Sequence, residues 1–523
     1  MSSHVVVVGC GPVAARLVQE LRPALESGAV RLTVLGAEPV PAYQRIRLGD
    51  VASGRIRGGG LSMLDPGELA AIGVEIRTGT TVTGLDRARG TVRLGPGARS
   101  TTTLAYDRLV LATGAEAVIP DFPVSGTRGR GISVAASAGR RPVGVMALRE
   151  LSEAERLGAA VRAGRPVVVL GGGVLGVEAA LALAEVGATV TLLHRGQLPL
   201  GRQLDADAGR LLLRQLTGAG VQVRPDCGVQ ELEVIARAED RATAEDGVPH
   251  LVAVRTTQGR RVPASLLVAC TGVRPRDQLA ADAGLDTLPR GGVVVDGDGR
   301  CPDDPSVFAI GDCAAPRGAR PSGLIGPGWD QARATALALR EDLGCPAAVE
   351  LDAAGRPVPG PEASPHRLDP LVVKSHSLSV ACAGDPDADP WDPDGPSVST
   401  WADPGAGQYL RIVTDGERML GFVAIGLPRS AAELSRHALT GVLPEADRSA
   451  LLALEHAAGD RALGPDDVLC RCSGATAGQV EDAVAGCATV DEVGGRCGAG
   501  TGCGTCRGRI EEMLARQPVD SLV

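Results

Sequence analysis

A chain of 523 residues can hold two to four domains, and with 44% apolar but only 2% aromatic residues its cores must be built from Ala, Val, Leu and Ile. The net charge of −9 excludes a strong nucleic-acid footprint, and no apolar run approaches the ~20 residues that cross a bilayer. The opening VVVV run is short and lacks a basic flank, so no signal peptide is expected. The chain is therefore expected in a reducing cytoplasm, without nucleic-acid or membrane partners. Paired cysteines there point to metal or redox chemistry rather than structural disulfides.

In chain order, HVVVVGCGPVAARLVQEL opens with a valine run suited to a strand buried on both faces. Gly9, Gly11 and Ala14 then supply G-x-G-x-x-A, and a helix follows with Val13, Leu17, Leu21 and Leu25 on one stripe. RLTVLGAE reads as the next strand. YDRLVLATGAEAVIP (106–120) is a further strand ending in Ala112-Thr113-Gly114. The same grammar restarts near Arg165, where RPVVVLGGGVLGVEAALALAEVGATVTLLHR gives strand, Gly171-x-Gly173-x-x-Gly176, helix and strand. SLLVACTGVRPR (265–276) and VFAIGDCA (307–314) follow. A Pro/Gly/Ala-rich linker begins near Gly344. Beyond it, alternating runs over 368–430 suggest a small mixed or antiparallel domain, interrupted by GDPDADPWDPDGPS, which reads as a solvated excursion or an acidic docking loop. A Leu- and Ala-rich helical stretch (430–462) leads to a cysteine-rich tail.

A glycine signature gains meaning when it follows a strand and opens a helix, as both do here. The first glycine permits the tight turn, the second lets the backbone approach a pyrophosphate, and the third small residue lets helix pack on strand. The helix N-terminus then faces the phosphates. The first unit is expected to hold a flavin dinucleotide, with Glu38 accepting from a ribose hydroxyl. Thr113, Gly114, Gly311 and Asp312 complete the site, Asp312 facing the ribityl chain. The second unit is expected to bind NAD(P)H. His194 and Arg195 stand where an acid commonly selects NADH, and basic groups there tilt the choice towards a 2′-phosphate.

These residues resemble the two-dinucleotide flavoprotein reductases of the pyridine nucleotide–disulfide oxidoreductase superfamily, over roughly 1–340. The resemblance implies FAD on the first unit. AEPVPAYQRIRL (37–48) is similar to ferredoxin-reductase-like members, in which Arg45 would contact flavin, while a lysine that often follows there is not evident here. By the same likeness Val82 joins the FAD set, GLIGPGWDQARATALAL (323–339) forms the loop and helix beneath the flavin with Trp329 flanking the ring or anchoring the core, and Glu178 stands near the nicotinamide. Disulfide reductases of this superfamily carry a cysteine pair early in the chain. No cysteine lies between Cys10 and Cys227, so the electrons are expected to leave another way.

That way is the tail, which supplies Cys470-x-Cys472 and Cys503-x-x-Cys506, each pair expected at a turn that starts a helix. Thr476 with Gln479 and Thr489 with Glu492 form two capping boxes. Four cysteines suit zinc or an iron–sulfur cluster. C-x-C is tighter than usual zinc spacing, and the pattern over 465–517 resembles the bacterioferritin-associated ferredoxin-like domain, which implies a [2Fe-2S] cluster on Cys470, Cys472, Cys503 and Cys506. Cys487 and Cys497 fall outside it and read as packed thiols.

The expected architecture is α/β: two Rossmann-like dinucleotide domains, the FAD domain discontinuous (1–125 and 252–340) around the NAD(P) domain (140–251). A linker (341–366), a small α+β domain (367–430), a helical connector (431–464) and a small helical iron–sulfur domain (465–523) follow. The combination resembles the flavin half of assimilatory nitrite and nitrate reductases. It implies an electron-transfer oxidoreductase with no acid–base catalytic residue of its own. The chain reaches Val523 without sirohaem-type cysteines or a molybdenum-cofactor domain, so the acceptor is expected to be a nitrate or nitrite reductase catalytic polypeptide, or another electron-acceptor protein. The alternatives are an NAD(P)H–ferredoxin or rubredoxin reductase and a redox- or iron-sensing cluster protein.

Overall fold

The computed structural model describes residues 2–95, 103–128, 132–133, 141–236, 249–345, 366–443, 451, 464–470, 473–501 and 506–515. They form two compact units, the first from 1–45, 59–117 and 272–362, the second from 46–58, 118–271 and 363–523.

In the first unit the valine run becomes the strand Ser3–Val8, central in a six-stranded sheet. Val30–Leu35 and then Val74–Arg77 lie parallel to one side of it, Arg108–Leu111 and Asp304–Ala309 parallel to the other. Successive side chains alternate faces. Val5 and Val7 pack with Leu17, Ala332 and Leu339 of two helices, Pro12–Glu20 and Ile325–Asp342. Val6 and Val8 pack with Val92 and Leu94 of a three-stranded antiparallel layer. The expected stripe is buried at Leu17, Leu21 and Leu25, but the helix breaks at Leu21 and restarts as Arg22–Glu26 with Pro23 in its first turn, where a missing N–H costs nothing.

The second unit repeats the plan. Its five-stranded parallel sheet runs Val145–Ala147, Leu266–Ala269, Val167–Leu170, Val190–Leu193, Gln222–Arg224. A second five-stranded layer containing Val229–Ala236 and Pro249–Thr256 covers one face through Leu232, Leu251 and Val254. Two expected boundaries are corrected here. The strand in SLLVACTGVRPR belongs to this sheet, hydrogen-bonded between Val145–Ala147 and Val167–Leu170, so 252–271 falls outside the FAD segment. The first crossing lies at 117/118 rather than between 125 and 140. An apolar run announces a strand, but which sheet takes it is settled by partners about a hundred residues away.

After the linker, most of which lies outside the described residues, five antiparallel strands form one sheet in the order Leu371–Val373, Val380–Gly384, Arg418–Ile425, Gln408–Asp415, Ser397–Asp403. The helix Pro428–Thr440, expected to open a connector, packs Leu434 and Ala438 on this sheet's Ile412 and Phe422 and shares its core. The Asp/Pro loop behaves as a solvated excursion. Trp391 is 88% exposed, and Asp385, Asp389 and Asp392 each cap a backbone N–H two residues on. In the tail, helices Ala477–Val484, Val490–Cys497 and Arg507–Ala515 enclose a small apolar core. Both expected capping boxes form; such a cap contributes about 1 kcal/mol.

Candidate functional site: two glycine loops and a cysteine core

In the first unit the loops after Val8, Leu111 and Ala309 all leave the carboxyl ends of parallel strands, where α/β sheets bind ligands. Gly9 has φ +115°, and a Cβ there would collide with the Ala112 carbonyl oxygen. Gly11, the N-cap of Pro12–Glu20, faces open space: nothing lies within 4 Å of where its Cβ would stand, and no side chain caps the helix. Ala14 is buried beneath it. Val13 is the pivot of the site. A Cβ on Gly311 would meet it at 3.2 Å and one on Gly328 at 2.8 Å, so the glycine loop, the Gly311–Cys313 turn carrying Asp312 and the uncapped start of Ile325–Asp342 converge. Trp329, one turn into that helix, has a buried indole Nε1 without a partner among the described residues.

The Thr113 hydroxyl donates to the Arg276 carbonyl at 2.6 Å and Arg276 N–H to the Gly114 carbonyl at 2.9 Å, which braces the Ala-Thr-Gly turn. Val82 opens the strand Val82–Asp86 of the antiparallel layer and packs against the core that this layer shares with Val6 and Val8. Glu38, just past Val30–Leu35, receives Arg45 Nη2 at 2.6 Å and the Tyr43 hydroxyl at 2.7 Å, with the guanidinium over the Tyr43 ring. Sequence reading missed Tyr43, although its hydroxyl five residues from an acid was a local signal. Arg45 is thereby fixed beside the acid expected at the ribose.

The second loop reproduces the first. Gly171 has φ +120° and lies against the Cys270 carbonyl. Gly173 caps Val174–Ala184 with open space above it and no side-chain cap. A Cβ on Gly176 would overlap the Gly171 carbonyl. His194 is buried, its ring packed against Gly172, and its Nε2 has no partner among the described residues. Burial holds its pKa below the usual 6.5, whereas Arg195 beside it is exposed. Glu178, one turn into the helix, accepts the Lys374 backbone N–H at 2.8 Å.

In the tail, Cys470 and Cys506 are buried in one apolar core with Cys487, Val490, Val493 and Ile510. Cys506 immediately precedes the helix Arg507–Ala515. The Cys470 carbonyl accepts the Gly474 N–H at 2.9 Å, and the next described helix starts at Ala477. Cys472 and Cys503 lie outside the described residues. Cys487 and Cys497 pack in this core, the Cys497 thiol donating to the Val493 carbonyl at 3.2 Å.

Two sheets with parallel cores, each with an open glycine-capped helix at its carboxyl edge, define a two-dinucleotide oxidoreductase. The family model described as pyridine nucleotide-disulphide oxidoreductase matches residues 3–336, and the chain belongs to that family. A BFD-like [2Fe-2S] binding domain matches 468–516. The chain is 28% identical over 517 residues to the nitrite reductase (NADH) large subunit of Escherichia coli, covering 97% of this chain and 55% of that protein. It is 26% identical over 521 residues to the assimilatory nitrate reductase electron transfer subunit of Bacillus subtilis, covering 98% and 59%. The chain thus spans little more than half the length of these relatives. Among solved structures it resembles the covalent putidaredoxin reductase–putidaredoxin complex, with TM-score 0.67, 22% identity and coverage of 87% of this chain and 99% of that one, which shows a shared fold.

The chain is accordingly an NAD(P)H-dependent flavoprotein oxidoreductase whose cofactors are FAD, NAD(P)H and a [2Fe-2S] cluster. Its residues fit them. The space over Gly11 and Gly173 and the uncapped helix amides suit two pyrophosphates, and two of the four paired thiols enter one core. Among the described residues no helix is long and apolar enough to cross a membrane.

Proposed function

We propose that this chain takes electrons from NAD(P)H at the second glycine loop and delivers them singly, through its cysteine tail, to a nitrate- or nitrite-reductase catalytic subunit. One observation carries the reading: both glycine-loop units and the cysteine tail align, over nearly the whole chain, with the nitrite reductase large subunit and the assimilatory nitrate reductase electron transfer subunit. Flavin, when bound, accepts two electrons together and releases them one at a time, which is the chemistry needed between a hydride donor and a one-electron cluster.

The residues of the chain bind and orient. Gly9, Gly11 and Ala14 admit the flavin pyrophosphate, Glu38 with Arg45 and Tyr43 holds the adenosine ribose, and Val82, Thr113, Gly114, Gly311, Asp312 and Trp329 frame the rest. Gly171, Gly173 and Gly176 admit the nicotinamide dinucleotide, with Glu178 at its reactive end. Cys470, Cys472, Cys503 and Cys506 ligate the cluster. Of the two basic residues at the strand end, exposed Arg195 is the one placed to meet a 2′-phosphate. Arg195→Ala is expected to raise KM for NADPH about tenfold, the size of one charge-assisted contact, and to leave KM for NADH unchanged; steady-state kinetics with both nucleotides decides it.

The reading as a whole is tested by anaerobic titration of the purified protein with NADH and NADPH, following flavin and cluster bleaching, and then by adding acceptors. Preferential delivery to a nitrate- or nitrite-reducing polypeptide is expected. Equally fast reduction of unrelated ferredoxins or rubredoxins would make the chain a general carrier reductase. No oxidation of NAD(P)H with artificial acceptors would leave a cluster-based sensor.

A further inference from the structure

Lys374 is the only lysine in the chain; the other basic side chains counted with it are all arginines. It stands just past the edge strand Leu371–Val373 of the carboxy-terminal sheet. Its backbone N–H donates to Glu178 Oε1 at 2.8 Å and its Nζ lies 3.7 Å from the same oxygen, with 27% and 14% of the two side chains exposed. The next three residues dock on acids too. Ser375 Oγ and Ser377 N–H each donate to Glu185 at 3.1 Å, and the Ser377 hydroxyl bonds the same carboxylate. His376 Nε2 meets Asp50 Oδ1 at 3.1 Å. Glu178 and Glu185 lie seven residues apart, two turns on one helix face. The four-residue segment is therefore anchored at every position, and its register does not depend on the lysine ammonium.

We propose that Lys374 is a positioning residue for the nicotinamide end of NAD(P)H: it fixes the Glu178 carboxylate at the second glycine loop, so that the carboxy-terminal sheet completes the nucleotide site. The proposal rests on the reading above that this loop binds NAD(P)H. Glu178 lies two residues past Gly176, whose added Cβ would touch the Cys270 Cβ at 3.4 Å. That places the carboxylate beside the carboxyl end of Leu266–Ala269, the edge at which an α/β sheet binds its ligand. A carboxylate there is useful only if held still and charged, and its surroundings oppose the charge. Burial raises its pKa and so does Asp50; Lys374 alone lowers it. The other groups facing it are the Cys270 thiol, pushed up to about 12 by desolvation, and Asp50, itself paired with Arg47 at 3.1 Å and with His376. The chain's one lysine thus opposes the two influences that would neutralise Glu178. An arginine would present a wider planar fork where a compact ammonium stands.

The test uses the full-length protein with its cofactors and two ligands, oxidised NAD(P) and ADP-ribose, which lacks the nicotinamide. Lys374→Met is expected to weaken oxidised nucleotide about tenfold and to leave ADP-ribose binding unchanged. It should also move the acid limb of nucleotide binding upward by about one pH unit, because a buried carboxyl without its cation protonates earlier. The double variant with Glu178→Gln should bind no worse than Glu178→Gln alone, and Lys374→Arg should recover part of the loss. A single lysine permits a direct readout: trace acetylation of Lys374, measured by mass spectrometry against the N-terminal amine, should slow several-fold with oxidised NAD(P) but not with ADP-ribose. Equal loss of both ligands in Lys374→Met, with an unmoved pH limb, would reduce the residue to a structural anchor and overturn the proposal. Failure of the unaltered protein to bind either ligand would overturn the nucleotide reading itself, and this proposal with it.

Discussion

Gly173→Ala is expected to leave the fold intact while nucleotide binding collapses, and Gly176→Ala to damage both. The two glycines belong to one loop and one helix turn, yet their surroundings differ. Gly173 has φ −80° and ψ −176°, which alanine adopts freely, and its Cβ would meet no protein atom within 4 Å. Whatever a methyl group there displaces is ligand, not protein. The melting temperature should stay within about a degree, since a substitution without contacts changes stability by roughly 0.5 kcal/mol or less, whereas kcat/KM for NAD(P)H should fall about 100-fold, ~2.7 kcal/mol. At Gly176 the Cβ would overlap the Gly171 carbonyl, so helix and strand must separate, a core strain of about 1–3 kcal/mol. That variant should melt earlier and lose nucleotide binding together. In both variants the flavin should be retained and remain reducible by dithionite, because Gly9, Gly11 and the loops around them belong to a different sheet. Differential scanning calorimetry with stopped-flow flavin reduction separates these outcomes. A Gly173→Ala protein with unchanged kinetics would mean that the open space above the loop is not where pyrophosphate lies.

The second large effect is expected at the tail. Cys506→Ala should lose iron and acid-labile sulfide while flavin content and flavin reduction by NAD(P)H persist. Delivery to a one-electron protein acceptor should then drop about 100-fold or more, ~2.7 kcal/mol or above. The comparison is Cys487→Ala. Both thiols are buried in the core with Val490, Val493 and Ile510, so the packing cost of removing either sulfur is similar. Cys487 lies outside the paired spacing and should keep the cluster. Iron and sulfide analysis of the two variants distinguishes ligand from filler. Loss of the cluster from Cys487→Ala, with retention in Cys506→Ala, would reverse the assignment of the ligands. Loss of the metal should also loosen the tail, because a ligand set closed by metal carries folding free energy with it.

Much of this protein was legible from its residues because the features concerned are local. A glycine needed for a tight turn, a threonine that caps a helix three residues on, and a cysteine pair spaced for a metal are all decided within about ten residues. Both glycine loops and both capping boxes of the tail stand as those short patterns require. The alternation of Val5 to Val8 between two cores follows from the two-residue period of a strand.

Tertiary structure decided what depends on distant partners. Leu266–Ala269 carries no mark of which sheet it joins; its neighbours Val145–Ala147 and Val167–Leu170 make that choice. His194 reads as a basic group in a string of letters and is a buried ring, its pKa lowered by that burial, once Gly172 closes over it. The partner of Glu178 lies 196 positions away on a sheet edge with no motif of its own. Sequence by itself determined where backbone geometry permits a phosphate or a cluster, since that rests on hydrogen bonds and sterics between near neighbours. Only the folded chain determined which side chains are charged beside those sites, because charge depends on burial and on partners that only folding brings within a few ångströms.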